Sequence, residues 1–127
     1  MSATASEWLV TNGLGGFASA QVDGSLSRRY HGHLVAALPA PLGRVVMLSG
    51  VTEQAIPADG TSISLGDTGS EFTMEKGLPV WTYGFGAYRL EKRVVMPHGQ
   101  NTVHLVYRLL AGERPLELRL EPTIAFR

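Results

Sequence analysis

The chain contains no cysteine, which excludes a disulfide framework, a thiolate nucleophile and any cysteine-based zinc site. It also lacks an excess of either charge, because 11 Lys and Arg balance 11 Asp and Glu. That balance gives no electrostatic reason to expect nucleic acid or an anionic membrane as a partner, and it is compatible with a neutral ligand such as a sugar. Long apolar runs are missing: the longest, Leu34 to Leu38, falls far short of the roughly 20 residues a spanning helix needs. Met1 to Ser6 has neither the basic residues nor the apolar stretch of a signal peptide, so a cytoplasmic protein is the expectation. There is no internal repeat, no low-complexity linker and no run of helical period. The 127 residues amount to one domain's worth of chain.

What is present is strand pattern. Glu7 to Thr11 alternates, with Trp8 and Val10 on one face, and Phe17 to Val22 sets Ala18, Ala20 and Val22 against Phe17, Ser19 and Gln21. Asp23-Gly24 is a strong hairpin dipeptide. Arg29 to Leu38 reads as a longer strand stopped by Pro39-Ala40-Pro41, and Arg44 to Gln54 as a central strand. Thr61 to Leu65 alternates like a short edge strand, and Glu71 to Glu75 is the strand-like part of a loop-rich region. Val80 to Phe85 has aromatic strand composition. Tyr88 to Met96 and Thr102 to Leu110 make a long hairpin, and Leu116, Leu118 and Leu120 alternate strictly with charged residues. Strands at about ten-residue spacing with turn signals between them predict an all-β antiparallel sandwich, its strands joined mainly by hairpins.

Two features carry chemistry: a glycine-rich turn, Asn12 to Gly16, and a polar cluster, Arg28, Arg29, Tyr30 and His31. Glycines packed this densely imply a tight turn or a close backbone approach. Gly13, Gly15 and Ala18 match G-x-G-x-x-A, but the chain reaches Asp23-Gly24 too soon for the helix a dinucleotide site requires, and no acidic residue stands about 20 positions on. His31 and His33, two apart on a predicted strand, are expected to point to one face, as two metal ligands would. Without an obvious third ligand a hydrogen-bonding pair is the better reading, and neither metal nor cofactor is expected. Trp81 and Tyr83 share a strand face and are candidates for a sugar platform. Glu53, Glu71, Glu75, Glu91 and Glu117 show no spacing that pairs two carboxylates across a pocket, so no catalytic residue is assigned.

The run T-N-G-L-G-G-F-A-S, followed by R-R-Y-H-G-x-L-V-A-A-L, L-E-K-R-V-V-M-P-H-G-Q-N-T-V and Y-R-L-L, resembles the N-terminal domain of bacterial and archaeal glycogen debranching enzymes of the amylo-α-1,6-glucosidase type. The resemblance implies a β-sandwich of the supersandwich kind, with the catalytic acid and base in a separate C-terminal (α/α)-barrel absent from residues 1–127. It further implies that Asn12, Gly13, Gly15, Gly16, Arg28, Arg29, Tyr30 and His31 sit beside the mouth of the barrel's active site, binding α-glucan or anchoring the domain interface. The chain alone is then expected to be inactive, as one sandwich domain or as the first part of a larger one. An autonomous α-glucan-binding module and a ligand-free interaction domain are the alternatives. A homo-oligomer formed through the exposed edge of the Leu116 to Glu121 strand is a further expectation.

Overall fold

Alternation of apolar and polar side chains dictates the layering, because successive strand residues face opposite sides of a sheet. The computed structural model describes residues 7–22, 31–39 and 41–125. The expected Asp23-Gly24 hairpin, with Arg28, Arg29 and Tyr30, lies outside the described residues. Among the described residues ten strands follow in order: β1 (Glu7–Thr11), β2 (Phe17–Gln21), β3 (Gly32–Leu38), β4 (Gly43–Ile56), β5 (Ile63–Ser64), β6 (Gly69–Glu75), β7 (Leu78–Phe85), β8 (Tyr88–Val95), β9 (His104–Ala111) and β10 (Glu117–Ile124). They form two antiparallel sheets. The first runs β1-β2-β3-β4-β10, with β5 also on β4, and the second runs β6-β7-β8-β9. The chain is therefore an all-β antiparallel sandwich.

The 14-residue β4 is the spine of the first sheet. Its early half pairs with β3, its late half with β5, and β10 runs along its other side from Leu48 to Ile56. Extra residues interrupt its ladders: Leu34 and Val35 of β3 oppose Leu48 and Val46, while Thr123 and Ile124 of β10 oppose Gly50 and Leu48. Bulges of this kind bend a strand and re-aim its side chains.

The core lies between the sheets and follows the alternation of the sequence. Trp8 and Val10 of β1 are buried while Leu9 between them is 54% exposed. Ala18 and Ala20 of β2 are wholly buried, and their small side chains leave room for large rings. Trp8 meets Trp81 of the opposite sheet edge-to-face, with ring centroids 5.6 Å apart, and Phe72 meets Trp81 at 5.1 Å. The Trp81 indole donates to the Val22 carbonyl at 2.9 Å, so its one polar atom is satisfied in the interior. In place of an edge strand over Thr61 to Leu65, only Ile63 and Ser64 pair with β4, and Leu65–Asp67 turns as a 3-10 helix. That turn drives Leu65 wholly into the core, which an edge strand would not do. Leu116 and Leu118 pack partly against the core, whereas Leu120 is 40% exposed.

Trp8 joins the two sheets, so Trp8→Ala is expected to lower stability by about 3–5 kcal/mol, the usual range for a large aromatic removed from a core. Leu9→Ala, one residue along and facing out, should stay within about 0.5 kcal/mol of the parent. Urea unfolding of both variants checks this; equal losses would show that the alternation does not set the layers.

Candidate functional site

The glycine-rich turn is built around Asn12. This side chain is wholly buried, and it uses its full hydrogen-bonding capacity. Its Oδ1 accepts from the Leu14 N–H at 2.8 Å and the Gly16 N–H at 3.1 Å. Its Nδ2 donates to the Gln100 carbonyl and to Asn101 Oδ1, both at 2.9 Å. Its backbone carbonyl accepts from the Gly99 N–H, and its own N–H closes the turn onto the Gly16 carbonyl. Asn12 thus shapes the loop from within. Asn101, in the connection between β8 and β9, in turn accepts from the Ala37 N–H at 3.1 Å and donates to the Ala37 carbonyl at 2.9 Å. β2 begins at Phe17, opposite Val35, and beyond that point the Asn101 amide pairs with Ala37 in place of a strand residue.

Steric contacts explain the glycines. Gly13 has φ +81°, and a Cβ there would fall 2.2 Å from His98 Cε1. At Gly16 a Cβ would fall 2.7 Å from Asn12 Nδ2 and 2.9 Å from the Val35 carbonyl. The turn leads into strand β2, so the dinucleotide-like spacing has no helix behind it.

Beneath this loop, on the outer face of the first sheet, is a hollow of about 490 Å³. Its walls include Gly13, Gly15, Gly16, Phe17, His31 and Arg44. Arg44 Nε donates to the Gly15 carbonyl at 2.9 Å, and the guanidinium lies 5.7 Å from the Phe17 ring centroid, within cation–π range. His31 is buried, with Nε2 3.4 Å from Glu7 Oε2. The hollow therefore joins the glycines of the sequence motif to the described end of its polar cluster.

His33 does not share that face. It is buried on the opposite side of the sheet, edge-on to Trp8 with centroids 5.8 Å apart. The expectation that both histidines point one way fails because β3 begins only at Gly32, so His31 precedes the pleat. Among the described residues no three potential ligands cluster as a metal site would require.

On the inner face, between the sheets, is a second cavity of about 420 Å³. Lys92 Nζ lies 2.8 Å from Glu53 Oε2 there, and both side chains are largely buried. The Tyr107 hydroxyl donates to the same carboxylate oxygen, and the ammonium stands 5.0 Å from the Trp81 ring centroid. Burial, then the Glu53 charge, raises the phenols of Tyr83 and Tyr107, so both keep their protons as donors. Burial, then the Lys92 cation, lowers the His33 imidazole to about 4, against weaker opposing pulls from the Ser49 backbone and Glu53. Trp81 and Tyr83 do share a strand face, but it is this buried one: they are 5% and 6% exposed and line the cavity.

The Glu53, Lys92 and Tyr107 cluster had a partial signal in the sequence. Leu90, Lys92 and Val94 are buried at alternate positions, so period two places a lysine on the dry face of β8. A charge there demands a partner, although the sequence does not say which. Other carboxylates are engaged elsewhere: Glu75 and Glu91 share Arg93, and Glu117 pairs with Arg119.

The buried His33 makes a pH prediction. Its folded value of about 4 lies below the unfolded 6.5, so between those values the unfolded chain binds more protons. Stability is expected to fall as pH drops through that window, by on the order of 3 kcal/mol. Glu91, held below the usual carboxylate range chiefly by its hydrogen bond from Arg93, acts at lower pH. Urea unfolding across the window checks this: His33→Leu should flatten the slope, and an unchanged slope would assign it to another group.

No curated protein and no solved structure matches the chain. A family model does, the N-terminal domain of glycogen debranching enzymes, over residues 6–127. Since that match covers nearly the whole sequence, the chain belongs to the glycogen debranching enzyme N-terminal family.

Proposed function

We propose that this chain is the non-catalytic N-terminal segment of a glycogen debranching enzyme, and that its outer hollow forms part of the wall of the glucan site. The parent would hydrolyse α-1,6-glucosidic branch points in the cytoplasm with carboxylates carried by a separate barrel. The observation that carries this reading is the gathering of Gly13, Gly15, Gly16 and His31 around one hollow. These residues belong to the segment that also carries the family's sequence pattern. Arg44, tied to Gly15, adds a cation at the same place, able to donate to sugar hydroxyls or to a carbonyl of the barrel.

Support also comes from the state of the carboxylates. Hydrolysis needs two of them facing across a pocket, about 5–5.5 Å apart for retention or about 6.5–9.5 Å for inversion. Glu53 is instead neutralised by Lys92, and Glu75 and Glu91 are held by Arg93. The role left to the segment is to buttress the barrel and shape its mouth.

Incubation of the chain with a branched limit dextrin is expected to release no glucose above buffer. In the parent enzyme, His31→Ala should raise KM for branched glucan about tenfold, with kcat within about twofold, as for a lost positioning contact. Glucose release by the isolated chain that disappears in Glu53→Gln would overturn the reading.

A further inference from the structure

The inner cavity is not part of the hollow just described, since the two lie on opposite faces of the first sheet. Three observations mark it as more than a packing gap. First, Ser49, Gly50, Val51, Thr52 and Glu53, five consecutive residues of β4, all border it. Over this stretch β4 is paired only with β10 among the described residues, since β3 reaches no further than Leu48 and β5 begins at Gln54, so its free edge, backbone included, borders the cavity. Second, His33 is 6% exposed, yet its Nδ1 has no hydrogen-bond partner. A buried polar atom left in that state costs free energy that a ligand hydroxyl would recover. Third, Thr52, Gly66 and Ser70 on its border are exposed, so the cavity has a mouth.

The lining also sets the class of ligand. Lys92 and Glu53 neutralise each other at 2.8 Å, so neither an anion nor a cation gains net charge attraction. Together they present ammonium donors beside carboxylate acceptors, the arrangement that two adjacent hydroxyl groups satisfy at once. The indoles of Trp8 and Trp81 supply an apolar wall for C–H groups. A volume of about 420 Å³ is within the usual range of small-molecule sites, about 300–1,000 Å³. We infer that the cavity between the sheets binds a single neutral pyranose ring through Glu53, Lys92 and His33. This assignment rests on the cavity's own chemistry and stands apart from the parent-enzyme reading.

The chain has two tryptophans, both lining the cavity, so their indole N–H signals in a proton–nitrogen correlation spectrum report on it directly. Titration of the full chain with D-glucose and with maltose is expected to shift both signals saturably, with a Kd of about 1–10 mM, equivalent to roughly −3 to −4 kcal/mol. Val51→Phe should abolish the shifts, because Val51 borders the cavity two residues from Glu53 on the same face of an uninterrupted ladder, where the larger side chain would fill it. His33→Leu, which removes Nδ1 and leaves the mouth unchanged, should weaken binding at least fivefold and serves if Val51→Phe does not fold. Unmoved indole signals up to 100-fold above about 1 mM sugar, or shifts that persist in both variants, would overturn the assignment. Sugar-dependent shifts confined to the amides of Gly13 and Gly15 would also overturn it, while leaving the proposal for the outer hollow intact.

Discussion

The hydrogen bond between Asn12 and Asn101 is the contact on which the arrangement of this domain depends. It joins residues 89 positions apart, one in the β1–β2 turn of the first sheet and the other in the β8–β9 connection of the second. Each asparagine then fixes its own surroundings. Asn12 caps two N–H groups of the glycine turn, and Asn101 extends the β3 ladder at Ala37. The Asn12 amide has nothing further to offer a ligand, because it is wholly buried with its donors and acceptor already taken by protein partners. The function of the two asparagines is geometric: they hold Gly13, Gly15 and Gly16 against the hollow that His31 and Arg44 complete.

The first sheet therefore separates two chemically different spaces. Its outer face, carrying Leu9, Thr11 and Phe17, forms the hollow with the family's sequence motif. Its inner face, carrying Trp8 and His33, forms the cavity with the Lys92–Glu53 pair. The pair is expensive to bury and holds only while both members remain, since removing one leaves an uncompensated charge. Tyr107 and the Trp81 ring help by giving the carboxylate a donor and the ammonium an aromatic neighbour. Burial first, and then the same ammonium, keep His33 neutral, so the Lys92–Glu53 pair leaves the cavity with zero net charge.

Much of the sandwich was legible in the sequence because its information is local. Trp8 and Val10 stand at alternate positions of Glu7 to Thr11, and Ala18 and Ala20 give β2 a face of small side chains. The glycine turn was legible as a close approach, though its partner, His98, was not. What escaped was non-local or aperiodic. No pattern near Asn12 points to Asn101, and which strand covers which part of β4 is not written in its own sequence, so the five-residue border of the cavity along β4 could not be foreseen. The His31 and His33 expectation failed for a related reason: period two holds only inside a strand, and β3 starts between them. At Thr61 to Leu65 alternation was present, but the need to bury Leu65 turned the chain after two paired residues.

The central claim is that Asn12 and Asn101 act as one unit, and a double-mutant cycle with Asn12→Ala and Asn101→Ala, read by urea unfolding, tests it most directly. Each single variant is expected to lose about 2–3 kcal/mol, because it strands buried partners of the missing amide. The double variant should lose less than the sum, with a coupling of about 1–2 kcal/mol. Additive losses, agreeing to within about 0.3–0.5 kcal/mol, would mean that the two asparagines serve separate loops and that the glycine turn does not depend on the opposite sheet.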